Sequence, residues 1–382
     1  MKILHLCLAN FYIDNYTYQE NILPRINKED GHEVRIIAST ETYIDNIHYG
    51  YVKPSEYVTE YGVPIKRLPY KKVLTDFITH KFRAYPHLYE EISSFAPDVI
   101  MCHGMAFWSV LDVVRYKKAH PSVKLYADTH SDSYNSGTNW LSLHVLHGIF
   151  FKALIQKALP YLEKYFILGA DCRTFSKSAY HVPESLMEFY PLGGVLLSDE
   201  EYGRCRADRR AELGVADADL LLLHSGKLEA PKRTEEFLRA FSAVPDKRLK
   251  LCIIGSIPEE MKPILLPLIE ADFRVQYLGW KTGAELQEYL CACDFYCQPG
   301  TASATMQNAV CRGCGIMLHD IPQYAEYFDR GNVVWVKTQQ DIENTIRGIA
   351  DGSIDLAALQ RNSWAFARET LDYRKLAARL YR

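Results

Sequence analysis

Apolar and polar residues along the first half of the chain fall in blocks of two kinds. KILHLCLA, followed by Asn10, is a short unbroken apolar run and reads as a strand buried on both faces. TYQENILPRINKEDGHEV has helical spacing, stops near Gly31 and feeds the strand EVRIIAS. GVPIKRLP is a short third strand, YPHLYEEISSF is amphipathic, and Pro97 opens the strand PDVIMCHG. VKLYADTH is the next strand, a long helix covers residues 140–159, and KYFILG is a further strand. Strands separated by helices build a parallel sheet with both faces covered.

The pattern restarts after YPLGGV. A polar, charged segment, LSDEEYGRCRADRRAELGVADAD, leads into the strand LLLLHSGKL. The helix TEEFLRAFSAV, the strand LKLCIIGS, a helix around 258–270 and the strand VQYLGW follow. The helix GAELQEYLCAC, the strand DFYCQP, and the strands GIMLHD and VVWVKT complete the second set. The predicted fold is therefore α/β, with two Rossmann-like doubly wound parallel-sheet domains facing across a cleft. The first spans 1–195 and the second 196–358, with the boundary near 192–205. Residues 359–382 are helical in period and basic at their end, and read as a terminal helix. In such sheets ligands bind beyond the carboxyl ends of the strands. That places Asn10, His103, the 128–132 cluster, the 225–233 loop, Gly255, Trp280 and the 299–308 loop at the candidate site.

Composition narrows the classes. A chain of 382 residues exceeds one ordinary core, and 48% hydrophobic with 24% charged residues is a soluble globular balance. A net charge of −3 argues against non-specific nucleic-acid binding. The start, MKILHLCLAN, lacks a signal peptide's long apolar core. WLSLHVLHGIFFKALIQKAL is broken by His144, His147, Lys152, Gln156 and Lys157, so it reads as a buried or partly interfacial helix rather than a membrane span. A cytoplasmic location is expected, with the ten cysteines as thiols. Cys311 and Cys314 form a C-x-x-C near Cys291, Cys293 and Cys297, but their helical setting favours core packing over zinc or redox chemistry.

Three stretches carry candidate chemistry. In HSGKLEAPKRTEEF, Gly226 permits a tight turn, and Lys227 and Lys232 flank it before a helix. Two cations there suit a diphosphate; the plainer reading is a solvated basic loop with Thr234 as helix cap. CQPGTASATMQNAVCRGCG gathers Ser303, Ala304, Thr305, Gln307 and Asn308 where a helix begins, with no acid among them. Small residues let phosphate oxygens approach helix-end N–H groups, and Gln307 or Asn308 suits a ribose hydroxyl. The plainer reading is a helix capped by Ser303 or Thr305. In ADTHSDSYNSGTNW, Asp128, His130 and Asp132 end a strand, where a histidine beside carboxylates orients a hydroxyl or moves a proton. IKRLPYKKVLTDFITHKFRAY, residues 65–85, mixes Lys66, Arg67, Lys71, Lys72, Lys81 and Arg83 with Phe77 and Phe82. Its 66–83 portion suits either an anionic lipid surface or plain solvent.

The chain resembles the GT-B-fold glycosyltransferases of family 4, also called glycosyltransferase group 1. NILPRINKEDGHEVRIIAS is similar to that family's first helix and second strand, and YPLGGVLLSDEE to its linker. SGKLEAPKRTEEFLRAF is similar to its donor loop. LKLCIIGS, VQYLGW, ELQEYLCACDFYCQPG and NAVCRGCGIML match later signposts in order. The closing segment, 359–382, is similar to the family's terminal helix, and the resemblance implies that it returns to the first domain. The resemblance implies a nucleotide-sugar donor held by the second domain. Gly226, Lys227 and Lys232, with Ser303, Ala304 and Thr305, would take the diphosphate. Gly255, Gly279, Trp280, Lys281, Gln307 and Asn308 would lie near the nucleoside. His130 would match the family's first-domain histidine beside the transferred sugar. Asn10 replaces the glycines that usually approach the phosphate, and it and His103 fall on the acceptor side. The family's pair of Glu residues is replaced, with Asn308 at the second and no Glu at the first, and Lys227 stands for the usual Arg.

The expected reaction is transfer of a hexose-type residue from a nucleotide diphosphate sugar, UDP favoured and GDP possible, to a glycan or lipid-linked acceptor. Retention of configuration follows from the resemblance; Asp132 or Asp128 would be the base if the enzyme inverts. No cofactor and no metal are expected, since the nucleotide sugar is itself a substrate. Peripheral contact with the inner face of a membrane is expected through residues 66–83. A nucleotide-sugar epimerase on the same fold and a non-catalytic nucleotide-sugar binder or scaffold are the alternatives.

Overall fold

The computed structural model describes residues 1–16, 18–44, 48–73, 75–132, 135–301 and 303–382. The chain divides into two compact units, Met1–Pro191 with Tyr373–Arg382, and Leu192–Asp372. Each is a doubly wound α/β sheet, as the alternation of strands and helices predicts.

The first unit's sheet runs, in spatial order, Met187–Phe189, Lys164–Ile167, Lys124–Thr129, Val99–His103, Lys2–Cys7, Glu33–Ser39, Pro64–Leu68 and Ser55–Val58. All neighbours are parallel except the last pair, an antiparallel edge that periodicity does not foretell. The strand Lys2–Cys7 is buried from Ile3 onward and carries His5 in an otherwise apolar row. A small antiparallel pair, Glu41–Tyr43 with Tyr49–Tyr51, is also unpredicted; such short tyrosine-rich strands show no clear alternation.

The second unit's sheet is fully parallel: Val275–Tyr277, Leu249–Ile254, Leu220–Ser225, Phe295–Gln298, Gly315–His319 and Val333–Val336. Read in chain order, this is the 3-2-1-4-5-6 arrangement of dinucleotide-binding folds. Leu222, Leu251 and Phe295 pack with Phe237 and Phe241 of helix Thr234–Ser242 to form its core. The winding reverses between Lys2–Cys7 and Val99–His103 in the first sheet, and between the first and fourth strands in the second. Loops leaving those two strands diverge to opposite faces and open a crevice at their carboxyl ends.

Three sequence expectations change. The charged segment after the linker is a 14-residue helix, Asp199–Glu212, opened by a Ser198–Glu201 capping box. Its core contact is polar, which hides it from an apolar-period search: Arg206 and Arg210 both pair with Asp294, which also accepts from the Leu221 amide at 2.8 Å. The long helix near 140–159 is π-helical over Ser142–Phe151 before Lys152–Ala158 continues as α-helix. The closing segment is two helices, Leu356–Phe366 and Tyr373–Ala378, rather than one. The break falls where Gly194 bonds the Leu371 carbonyl at 2.9 Å and bridges Asp372, which draws that backbone out of the helix.

All ten cysteines are free and nine are buried. Cys311 and Cys314 are fully buried, and burial pushes the Cys311 thiol up to about 12. Among the described residues no helix is long and apolar enough to cross a membrane.

Removing Asp294 leaves two guanidinium groups without their buried partner. Asp294→Ala is expected to destabilise the second unit by about 3–5 kcal/mol, the range for breaking a buried pair, as read by urea denaturation. A loss below about 1 kcal/mol would show that solvent already screens the pair.

Candidate active site

The second unit's crevice is built by backbone approach. Gly226, at φ 134°, leaves strand Leu220–Ser225 and its amide bonds the Ile254 carbonyl at 3.0 Å. Gly255, at φ 145°, sits so close that a Cβ there would lie 1.8 Å from the Gly226 oxygen. Its amide in turn bonds Gly279, at φ 69°, through 2.8 Å. No residue with a side chain permits the Gly255 contact. The loops after the second unit's first three strands are thereby stitched together.

The loop after the fourth strand joins them through Lys232. Its ammonium donates to the Thr301 carbonyl at 2.8 Å, while the Thr301 amide donates back to Pro231 at 3.0 Å. Gly300 completes the junction, since a Cβ there would fall 2.2 Å from the Pro231 oxygen. Beneath it, the His224 ring spans the Cys297 carbonyl at 2.8 Å and the Thr234 hydroxyl at 2.9 Å, tying both strands to the helix start. Lys232 is half-buried, and burial draws its pKa below the usual lysine value. An ammonium in that setting gains from an anion.

The two lysines differ. Lys227 is 66% exposed and pairs with Glu229 at 2.6 Å, which raises its pKa. Arg233 braces the loop by bonding Glu236 and the Pro299 carbonyl.

Residues 303–308 are less of a helix end than their composition predicts. The helix Thr305–Val310 has six residues, Ala304 stands at its N-cap, and no side chain caps it. Neither Ser303 nor Thr305 is the cap, because both turn toward the sheet. Ser303 donates to Gln298 at 3.4 Å, and both reach the Tyr296 hydroxyl, which also meets Ser225 at 3.1 Å. The amides of Met306, Gln307 and Asn308 are already bonded to Ser303 and Ala304. Gln307 is buried, and its Oε1 has no hydrogen-bond partner. Asn308 lies beside Gly194. Trp280 is an exposed ring, and Lys281 lies over Tyr289 at 5.7 Å. Ala302 of this loop is outside the described residues, as are Leu74 of the 66–83 stretch and Ser133 and Tyr134 after Asp132.

The first unit fills the equivalent crevice with imidazoles and carboxylates. The Asn10 amide bonds the His103 carbonyl at 3.2 Å, and Gly104, at φ 77°, lets the two loops close. Asp128 is fully buried and bonds His103 Nδ1 at 2.8 Å and the Gly104 amide at 2.9 Å. His103 Nε2 meets His5 Nδ1 at 3.1 Å, and His5 Nε2 meets Asn27 at 2.8 Å. His103 was expected on the acceptor side; being wholly buried, it serves Asp128 instead. Burial alone would raise the Asp128 pKa, but the His103 and His130 imidazoles hold it well below the usual carboxylate range.

His130 is the reachable member, with 26% of its side chain exposed. Its Nε2 lies 3.7 Å from Glu20 and 3.9 Å from Asp128, beyond hydrogen-bond length but within strong Coulomb range. Burial pulls its pKa down, and the carboxylates of Glu20, Asp128 and Asp132 more than reverse this, to about 9. Asp132 closes a turn by accepting from the Asn135 amide at 2.8 Å. Sequence reasoning missed Glu20 and Gln19, in the first turn of helix Gln19–Glu29. Gln19 is wholly buried with neither amide atom bonded. The available signal was a polar triplet, Gln19–Glu20–Asn21, at the entry to a helix that follows the first strand. His5, a lone polar residue in a buried strand, was the second missed signal.

The 66–83 stretch loses two of its cations to internal contacts. Arg67 is buried against Asp14 at 2.8 Å and the carbonyls of Tyr12 and Ser39. Lys66 pairs with Glu91 at 2.7 Å. Both sit on strand Pro64–Leu68, whose alternating side chains pack inward or against the neighbouring helix.

Comparison with known proteins places this architecture. The fold is that of the GT-B glycosyltransferases. Residues 219–351, within the second unit, match the family described as Glycosyl transferases group 1. The Anabaena protein HepE, solved with UDP, is 16% identical over 99% of this chain and 98% of its own, with a TM-score of 0.66. It has also been solved with UDP-glucose. A glycosyltransferase from Rickettsia africae is 12% identical over 99% and 96%, with a TM-score of 0.67. Sucrose-phosphate synthase from Thermosynechococcus elongatus is 14% identical over 99% and 96%, with a TM-score of 0.62. Identities this low show a shared fold alone. Sequence comparison with curated proteins gives no match.

Buried histidines set an acid limit. Burial lowers His5 to about 3, His147 to about 4 and His224 to about 4. In the unfolded chain each takes its proton near about 6.5. Between those values the unfolded state binds more protons, so stability present above about pH 6.5 is lost as pH falls, by up to about 1.4 kcal/mol per pH unit per histidine. Urea midpoints should therefore drop steadily from pH 7 to pH 5, and His224→Gln should flatten that slope for the second unit. A flat profile in the parent would contradict the neutral, buried assignment.

Proposed function

We propose that the protein is a glycosyltransferase that moves a hexose-type residue from a nucleotide diphosphate sugar to a glycan or lipid-linked acceptor in surface polysaccharide or glycoconjugate synthesis. UDP-sugar is favoured as donor, with GDP-sugar as the other candidate. The observation that carries this reading is Lys232, half-buried at the junction of the loops after the first and fourth strands. Support comes from the group 1 match over the same unit and from HepE, a protein of the same fold solved with UDP and UDP-glucose.

In this reading the second unit holds the donor. Lys232 meets the diphosphate beside the Gly226 turn, Lys227 adds charge from the exposed side of the loop, and Ser303, Ala304 and Thr305 line the phosphate and sugar. Gly255, Gly279, Trp280, Lys281, Gln307 and Asn308 surround the nucleoside, with the unpaired Gln307 oxygen suited to a ribose hydroxyl. Breaking the glycosidic bond develops positive charge on the sugar and negative charge on the departing diphosphate. A cation already in place stabilises that leaving group without reorganisation, and no metal is required. In the first unit His130, held protonated by Glu20 and Asp128, is a donor suited to a sugar hydroxyl, with Asn10 on the acceptor side. Retention of configuration is part of this reading by resemblance to the family, and the burial of Asp128 supports it. The enzyme acts in the cytoplasm, at the inner face of the membrane.

A non-catalytic nucleotide-sugar binder is the second reading, favoured by the lack of any acid from 303 to 308. Calorimetry separates the roles of the lysines. Lys232→Ala should weaken UDP binding about tenfold or more, the value of a hydrogen bond to a charged group, and Lys227→Ala should weaken it less. Equal affinity in Lys232→Ala and the parent would remove the site. Release of UDP from UDP-glucose, stimulated by an acceptor extract, distinguishes a transferase from a binder.

A further inference from the structure

Six large apolar side chains of the first unit stand in solvent on three adjoining elements. Phe77 is on helix Asp76–Phe82, Trp108 follows strand Val99–His103, and Trp140, Leu141, Val145 and Ile149 line the entry and outer face of helix Ser142–Phe151. Phe77, Trp140 and Ile149 are each at least 66% exposed. The elements abut: the Phe82 and Phe150 rings are 4.5 Å apart, and Trp108 lies 5.7 Å from Phe82 and 5.5 Å from Phe150. Leu141, Val145 and Ile149 recur every fourth residue and form one stripe. Scattered exposed apolar residues need no explanation, but a contiguous patch of this size does.

Charge identifies what covers it. Lys71, Lys72 and Lys81 are exposed beside the patch, with Arg83 half-exposed. Residues 133–162 contain no Asp or Glu, and Asp76 is the only acid from 64 to 89. In a chain of net charge −3, the segments from which these apolar residues emerge thus carry a basic excess, with Asp76 as their one acid. We infer that this face seats on an anionic lipid bilayer, with the Trp140–Ile149 stripe at the headgroup boundary and the lysines on lipid phosphates. Of the 66–83 stretch read from sequence, the seat keeps Lys71, Lys72, Phe77, Lys81 and Arg83, loses Lys66 and Arg67, which are occupied inside the unit, and adds the 140–149 stripe.

Position gives the surface a purpose. Each of its elements follows the carboxyl end of a strand: Pro64–Leu68, Val99–His103 and Lys124–Thr129. That is the rim of the first sheet that carries His130. A bilayer there brings lipid-borne acceptors to the first unit's crevice. The inference rests on the proposed function only in this last step, and vesicle binding is measured independently of transfer.

The test is sedimentation of the full chain with vesicles of phosphatidylcholine alone or mixed with phosphatidylglycerol. Binding is expected to the mixed vesicles and to fall steeply with salt. The double variant Trp140→Ser/Ile149→Ser should lose about tenfold or more in affinity. Lys71→Ala/Lys72→Ala/Lys81→Ala should weaken binding and flatten its salt dependence. Because these positions are solvent-exposed, both variants should melt as the parent does. No vesicle binding, binding unaffected by either variant, or a dimer abolished by Trp140→Ser/Ile149→Ser in ultracentrifugation would each overturn the inference. Vesicle binding without sugar transfer would leave it standing and refute the proposed function alone.

Discussion

A lysine whose charge is disfavoured by its surroundings is the feature on which the second unit's site depends. Lys232 is half-buried, and its ammonium is tied to the Thr301 carbonyl at 2.8 Å where the loops after the first and fourth strands meet. That crowding is made of backbone. Gly255 and Gly300 approach neighbouring main chain to distances that a Cβ would forbid. The ammonium therefore stands at a fixed point and gains more from a bound anion than a surface lysine would. Lys227, exposed and paired with Glu229, shows the contrast within the same loop.

The same winding order yields a different interior in the first unit. There the crevice closes through Asn10 and Gly104, and the buried charge is the Asp128 carboxylate. His103 donates to it from below, and His5 and Asn27 extend the line of polar groups into the sheet. Such a row in a strand core is costly unless each member is bonded, which accounts for the complementary pairing from Asn27 to Gly104. Its outward consequence is a fixed carboxylate under His130, with Glu20 at its other side.

Much of this was legible before the structure. Unbroken apolar runs such as LKLCII gave the strands, and glycines after them gave the turns. Gly226 and Lys232 were visible because residues of special conformation and charge fell just after a strand. What stayed hidden depended on contacts distant in sequence. Helix Asp199–Glu212 was obscured because it docks through arginines onto Asp294, so its inward face is not apolar. The role of His103 was misjudged because a histidine at a strand end looks the same whether it faces a ligand or a buried carboxylate. Glu20 could be joined to His130 only by folding, since 110 residues separate them. The six-residue length of helix Thr305–Val310 was hidden because the turn at 311–314 that separates it from strand Gly315–His319 offers only Arg312 and Gly313 as breaks.

The electrostatics of the two crevices argue for a division of labour without appeal to resemblance. One contains a desolvated cation and turn amides, and its nearest acid, Glu229, is paired outward with Lys227. An anion is favoured there. The other gathers Glu20, Asp128 and Asp132 around one imidazole, which those carboxylates hold in its charged form. A second anion there would meet three carboxylates for one cation, whereas a hydroxyl finds donors and acceptors together. Parallel folding of two similar sheets thus gives one crevice whose charge favours an anion and another whose groups favour a neutral hydroxyl.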